Sequence, residues 1–396
     1  MATLRQAVNE PCLEDYDLEG WLWQDLTARG RQSLQVLLEA AMQTELTARL
    51  GYQPYQRDPQ LHTNYRNGTY TRTLDTQFGC IPDLHVPRAR QGQTAYSVLE
   101  RYSRRAPWVE DLVREMFLSG VSTRRVGRVL RSLLSASISA SAVSRIASSL
   151  DDQVRCFHRR PLQDEYEYLI LDGVSLRVKG AWGVTKRLAL CVYGITFDGR
   201  RELIDYRLAK SESERDWTVL LERLQRRGLT GDRVALAVTD GGKGLIRALE
   251  AVFGDLPLQR CWAHKLRNVA NKLKAAQREP CLKQAAGIYQ AANRREALRR
   301  HRAWEARWKR EAPQAVACLR QDLDALLEFF SRPQAHWKKI RTTNAIERQF
   351  RVVRRRTDPM TCFAHDRSAD RILYAIFHYA NQRWAESPLR EFTHKS

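Results

Sequence analysis

Three carboxylates carry the chemistry this sequence is equipped for. Asp172 lies in Tyr168-Leu-Ile-Leu-Asp-Gly and Asp240 in Val234-Ala-Leu-Ala-Val-Thr-Asp-Gly-Gly, each where an apolar strand is expected to end. Glu347 lies in Arg341-Thr-Thr-Asn-Ala-Ile-Glu-Arg, and from His336 to Thr357 it is the one acid of the expected helix against eight lysines and arginines. That density repels itself unless phosphate, or phosphate carrying a metal, is at hand. Phosphodiester cleavage and strand transfer need an attacking oxygen, a leaving oxygen and a neutralised phosphate in line. Two divalent ions about 3.5–4 Å apart supply all three effects. Magnesium prefers hard oxygen ligands and is held by few carboxylates together with water and substrate phosphate. The expectation is therefore Mg2+ or Mn2+, two ions per site. Spacings of 68 and 107 residues mean that only a tertiary fold can bring the three acids together.

Each acid also has a plainer reading. Asp172 before Gly173 suits a hairpin turn, Asp240 suits a cap on a helix beginning near Lys243, and Glu347 three residues after Asn344 suits a capping box. The plain readings weaken together, because an aspartate bracketed by Leu169-Ile-Leu and Val174 is costly unless liganded or hydrogen-bonded. On the Glu347 helix, Ile346, Phe350 and Val353 share one face, while Arg351 and Arg354 fall near the side of the acid. Cys261-Trp-Ala-His264 follows the last expected strand and puts His264 within reach of the acids, in a phosphate or proton-handling role or as a structural histidine. Its Cys-x-x-His spacing is ligand-like, but structural zinc takes four ligands and no second pair stands at comparable spacing. Trp262, Trp304, Trp308 and Trp337 offer stacking surfaces for an unpaired base, or core packing.

The elements that must position these residues follow from composition and pattern. The chain has 396 residues, 43% hydrophobic, with a net charge of +21 spread through folded-looking sequence, which makes nucleic acid the leading partner. No apolar run approaches a membrane span, and the first residues lack an apolar signal core. Eight scattered cysteines suit a reduced, cytoplasmic setting, and a nucleic-acid partner makes nucleoid association the expectation. Residues 14–50 read as a helix, with Leu34, Leu37, Leu38, Ala41, Leu46 and Leu50 at helical spacing and Gly51 as its stop. Residues 1–52 are thus a helical region, 30–50 being a candidate dimer surface. Residues 53–106 hold a small basic β-hairpin, Thr69-Tyr-Thr-Arg-Thr-Leu and Ile81-Pro-Asp-Leu-His-Val-Pro about Gly79. Residues 107–155 read as short helices resembling a helix-turn-helix unit, with three-helix packing free of DNA as the alternative. Between 166 and 259, strands at 166–178, 187–197, 202–208 and 234–239, a short strand at 256–259, and helices at 213–227 and 243–252 give an α/β order compatible with an RNase H-like core. Residues 265–335 read as helical, and from Lys265 to Arg310 they carry fourteen basic residues against three glutamates, too lopsided for salt-bridge pairing. DNA contacts are expected from Arg124, Arg125, Arg128, Arg145, Lys243, Lys265, Arg267, Arg341, Asn344, Arg348, Arg351, Arg354, Arg355 and Arg356.

The chain resembles the bacterial insertion-sequence transposases of the Mutator superfamily over nearly its whole length. The resemblance rests on Leu171-Asp-Gly-Val174, Ser211-Glu-Ser with Trp217, Arg227-Gly-Leu229, Thr239-Asp-Gly-Gly-Lys-Gly-Leu245, Cys261-Trp-Ala-His264, and Arg341-Thr-Thr-Asn-Ala-Ile-Glu-Arg348 with Arg354-Arg-Arg-Thr357. Tyr65-Arg-Asn-Gly68, Val86-Pro-Arg88 and Gly120-Val-Ser-Thr-Arg124 fit as well. It implies an RNase H-like DDE catalytic domain, 156–264 with 336–396, interrupted by an all-helical insertion at 265–335 and preceded by a mainly helical DNA-binding region. It also implies Asp172, Asp240 and Glu347 as the metal-binding triad, with Cys261 and His264 beside it. Expected partners are terminal inverted repeats, target DNA and a second copy of the chain. A structure-specific nuclease and a catalytically silent DNA-binding repressor are the alternatives.

Overall fold

β-Branched residues on either side of Gly79 fold as the expected hairpin. The structure is a computed structural model that describes residues 18–56, 64–92, 94–99, 106–119, 121–134, 138–180, 183–358 and 362–393. It divides into two units, Met1–Phe117 with Val121–Ala147, and Leu118–Gly120 with Ser148–Ser396. In the first, α1 (Leu18–Leu50) lies on the hairpin of β1 (Arg66–Thr76) and β2 (Gly79–Ala89); residues 14–17 of the expected helix fall outside the described residues. The buried stripe of α1 is Leu34, Leu38, Met42 and Leu46, packed on Leu74, Ile81, Leu84 and Val86. Leu37, expected on that stripe, is 67% exposed, because a spacing of four carries the stripe past it. Next come α2 (Pro107–Leu118), α3 (Thr123–Leu134) and α4 (Ala140–Ser148), closed around Val109, Val113, Val126, Leu130, Ile138 and Val143. A Cβ at position 127 would stand 2.6 Å from the Ile138 carbonyl oxygen, so Gly127 is what lets the chain enter α4 so close to α3. Arg124, Arg125, Arg128 and Arg145 are all exposed.

The second unit begins with α5 (Leu150–Arg159) and the meander β3 (Tyr166–Gly180), β4 (Gly183–Thr196) and β5 (Arg201–Ala209). Then follow α6 (Glu214–Arg226), β6 (Leu236–Thr239), α7 (Lys243–Phe253) and β7 (Leu258–Arg260). The sheet order is β5-β4-β3-β6-β7, with the meander antiparallel and β6 and β7 parallel to β3. Leu169 and Leu171 of β3 join Leu190, Val192, Ile204, Trp217, Leu220, Leu224, Leu245 and Leu249 in the core under α6 and α7. Alternation of side chains sends Tyr168, Ile170 and Asp172 to the other face.

Helices α8 (Trp262–Ala270), α9 (Ala275–Tyr289), α10 (Arg294–Trp308), α11 (Pro313–Gln321), α12 (Leu323–Leu326) and α13 (Trp337–Ile340) span the region expected to be helical. They lead to α14 (Asn344–Thr357), α15 (Asp366–Ala385) and α16 (Arg390–Thr393). α15 covers the second face of the sheet, with Phe377 against Tyr206 and Trp384 against Tyr193. Among the described residues no helix is long and apolar enough to cross a membrane.

A carboxylate is sealed into this unit. Asp205 is fully buried and meets His158 Nδ1 at 2.6 Å, Arg227 at 2.5 Å and Arg223 at 3.1 Å. Burial opposes protonation of His158, but its bonds to Asp205 and Asp370 outweigh burial and raise its pKa above the ordinary 6.5. A histidine raised in the folded state stabilises fully below its unfolded pKa and loses that contribution as pH rises through the folded one. The wild-type melting temperature is therefore expected to lose a His158-dependent component as pH is raised above about 6.5. Parallel melting curves of His158→Gln should lack that component, and identical pH profiles would contradict it.

Candidate active site

The register of the sheet brings the first two carboxylates side by side. β3 pairs with β6 through Tyr168 and Leu236, Leu169 and Ala237, and Ile170 and Val238. Two residues further along each chain stand Asp172 and Asp240. β6 stops there, whereas β3 runs on to Gly180 against β4, with Asp172 opposite Cys191. Asp172 therefore lies within a strand, neither at a strand end nor in a turn, because β4 continues to satisfy its backbone after β6 has ended. The plain reading of Asp240 is also revised, since the cap of α7 is Gly242. Asp240 Oδ1 accepts the Gly242 N–H at 2.8 Å from two residues before.

Glu347 comes from the first turn of α14, whose buried face is Ile346, Phe350 and Val353. The cap is Thr343 rather than Asn344, so the capping box does not form. Thr343 is fully buried and joins three elements of the site. Its N–H reaches Cys261 Sγ at 3.2 Å, and its hydroxyl lies 3.4 Å from both His264 Nδ1 and Glu347 Oε1. The Trp262 N–H donates to the Arg341 carbonyl at 3.1 Å. The Cys-x-x-His turn at the end of β7 is thus tied to the start of α14, and His264 Nε2 stands 3.4 Å from Glu347 Oε1.

Asp172, His264 and Glu347 each offer a ligand atom within 4.8 Å of the other two. They line a cavity of about 450 Å³ whose remaining wall includes Arg267, Asn344, Arg348, Arg351 and Arg354. Asp240 is not in that group of three. It lines an adjoining space of about 60 Å³ with Asp172, Lys243 and a fourth acid, Glu212. A Cβ on Gly173 would lie 2.7 Å from Glu212 Oε1, so glycine at 173 leaves the room that this carboxylate uses.

The electrostatics call for a cation. Burial raises the Asp172 carboxyl and the neighbouring Asp240 and Glu347 charges raise it further; His264 and the Gly173 N–H only partly offset them, leaving it at about 7. Glu212 is raised by burial and by Asp240. His264 is pushed up to about 9, first by its bond to Cys261, against burial, and then by the Cys261, Asp172 and Glu347 charges. Burial alone would raise the Cys261 thiol, but hydrogen bonds with His264 and Thr343 outweigh it and lower the pKa. Converging carboxylates whose charge is opposed by burial at Asp172 and Glu212 fit a divalent cation, which would offset that cost.

Packing engages several of the residues singled out in the sequence. Lys265 is 2% exposed and bonded to Asp322, which also meets Arg260 at 3.1 Å, so its ammonium is already paired inside the fold. Trp262, Trp304 and Trp308 are buried with their indole N–H groups donating to Leu326, Cys281 and Gln284, and Trp337 packs on Phe329 and Phe330. The three buried rings offer no open face for stacking, whereas Trp337 is half-buried. Arg356 is half-buried, whereas Arg348, Arg351, Arg354 and Arg355 are exposed. Arg341 lies over the Tyr289 ring. Lys243 is exposed at the start of α7. Sequence reasoning passed over Glu212 and Thr343; the signal for the first was Ser211-Glu-Ser directly after a strand.

Residues 23–387 match the family model of Mutator-family transposases. The chain belongs to the Mutator family of transposases. Relatives within it include the transposase for insertion sequence element IS905 of Lactococcus lactis, 32% identical over 89% of this chain and 89% of its own length. Those for ISRM5 of Rhizobium meliloti and IS406 of Burkholderia multivorans are 32% and 34% identical, over 90% and 89% of this chain and 89% and 90% of their own lengths. The residues matched to the Mutator-family transposases take in every element that builds the site described above.

Proposed function

We propose that this chain catalyses DNA transposition of an insertion sequence. It binds terminal inverted repeats, cuts the element ends and transfers the freed 3′-hydroxyl to target DNA. The observation that carries this reading is the meeting of Asp172, His264 and Glu347 within 4.8 Å in a cavity whose wall includes Arg267, Arg348, Arg351 and Arg354. Acids alone would repel a phosphodiester and arginines alone would only bind it. In this reading 156–264 and 336–396 form an RNase H-like DDE domain, and 265–335 is a helical insertion. Residues 107–155 hold the ends through Arg124, Arg125, Arg128 and Arg145. Two ends must be paired, which calls for a homodimer; the exposed Val36 and Leu37 on α1 support the 30–50 stretch as its surface.

Asp172, Asp240 and Glu347 would hold Mg2+ or Mn2+, two ions per site, and bound there these supply Lewis-acid neutralisation of the phosphate and activation of the attacking oxygen. The chain's own residues do the rest. Arg267, Arg351 and Arg354 orient the phosphate, and Thr343 fixes His264 and Glu347 with respect to each other. His264 holds a proton at Nε2 beside Glu347, available to the leaving 3′-oxygen.

The test is joining of labelled DNA ending in the element's own repeats to a supercoiled target, with Mg2+ or Mn2+ and Asp240→Asn in parallel. Joined product from the wild type alone supports the proposal. Cutting without joining would favour a nuclease, and specific binding without either would favour a repressor. Glu212 enters as a further acid of the same site. Glu212→Gln is expected to weaken Mn2+ binding, followed by titration calorimetry, by about 10- to 100-fold, and unchanged affinity would remove it from the site.

A further inference from the structure

A second and larger cleft runs along the other flank of α14. It measures about 780 Å³, and among its lining residues are Arg201, Lys338, Lys339, Arg355 and Arg383, with no carboxylate. Asn344, Arg348 and Arg351 line both this cleft and the carboxylate cavity. The two spaces therefore adjoin across the first turns of α14, which carries Glu347 on one flank and Val352 and Arg355 on the other. Among the described residues Lys338, Arg348, Arg351, Arg355 and Arg383 have no carboxylate within ion-pair distance, whereas Lys339 meets Glu391 at 3.2 Å. Two of the cations are held by aromatic rings, Arg201 over Trp384 at 5.5 Å and Arg341 over Tyr289 at 4.8 Å. Each also donates one guanidinium N–H to a backbone carbonyl, Arg201 to Ser387 at 3.4 Å and Arg341 to Tyr289 at 3.3 Å, so both are held in place before a ligand arrives and keep further N–H groups for phosphate oxygens.

We propose that this cleft binds the phosphodiester backbone of the DNA strand continuing away from the scissile phosphate. The inference rests on the reading of the carboxylate cavity as a site acting on DNA. Three considerations fix the occupant. Clustered cations of which Lys339 alone meets a carboxylate among the described residues favour a polyanion that relieves their repulsion. Residues shared with the carboxylate cavity make the occupant of one space continuous with the occupant of the other. A cleft with this many cations and an aromatic floor is matched to successive phosphates rather than to one anion.

The test uses the full chain, with the photoreactive substitution Val352→benzoylphenylalanine and labelled element-end DNA. Val352 is uncharged, 43% exposed and lines the cleft. Crosslinking to the cleaved strand close to the scissile phosphate is expected. In parallel, the double variant Lys338→Ala with Arg383→Ala should flatten the salt dependence of end binding by about 0.7–0.9 per lost contact in the log–log slope. Its Mn2+ binding should match that of the wild type. Should the wild type cut and join while Val352 crosslinks only a second copy of the chain, or nothing, and the slope stays unchanged, the cleft assignment falls and the transposase reading stands. A wild type that neither binds nor cuts the ends overturns both.

Discussion

Glu347→Gln should bind element ends as the wild type does and join them at least about 10³-fold more slowly. The amide keeps the shape of the side chain and its place beside the Thr343 hydroxyl, 3.4 Å away, so α14 has no reason to move. What is lost is one negative charge from the group formed with Asp172 and His264. If the divalent ions contribute several kcal/mol of transition-state charge stabilisation and each 1.36 kcal/mol is tenfold in rate, weakening their hold costs about three orders of magnitude. Gel-shift titration and a joining time course on the same preparation separate the two effects. Joining at wild-type rate would take Glu347 out of the chemistry, and lost end binding would make it a DNA contact or a fold determinant.

Asp205→Ala should be the most destabilising single change in the sheet-bearing unit, at about 3–5 kcal/mol. The carboxylate is fully buried among Arg223, Arg227 and His158, and it also accepts the Tyr206 N–H at 2.7 Å. Removing it leaves Arg223 and Arg227 without their counter-charge, which costs far more than the net worth of the intact cluster. Urea unfolding followed by tryptophan fluorescence should show the midpoint falling with the slope unchanged. A midpoint within about 0.5 kcal/mol of wild type, the range of ordinary surface changes, would mean that water or a neighbouring acid compensates.

The secondary structure of the sheet was legible because its strands are short apolar runs bounded by turn residues, as in Tyr168-Leu-Ile-Leu and Leu236-Ala-Val. Asp172 and Asp240 could be singled out because an acid inside such a run is expensive. Where each sits on its strand was not legible, since it depends on β4 outlasting β6 along β3. The errors share a cause in long-range pairing. Lys265 reads as one more solvent-facing cation until Asp322, 57 residues later, folds back onto it. Glu212 reads as part of a helix start, and the adjacent Ser213 does cap α6 by accepting the Asp216 N–H. Only the tertiary fold turns Glu212 toward Asp172 and Asp240. Thr343 carries no signal of its own, because a threonine before a helix is ordinary capping chemistry.

The ties from Cys261 to Thr343 and from Trp262 to Arg341 have a consequence for how this family can vary. The two ends of the helical stretch between them are clasped in a neck to which Asp322 and Leu326 are also bonded, so the contour length beyond these contacts does not set the position of Glu347. Doubling such an excursion changes its closure entropy by only about 0.6 kcal/mol. Helices can be gained, lost or exchanged beyond the neck while the glutamate stays in place. Chain distance between the second and third acids is then a poor index of whether a relative is active. A better one is whether its neck residues still clasp.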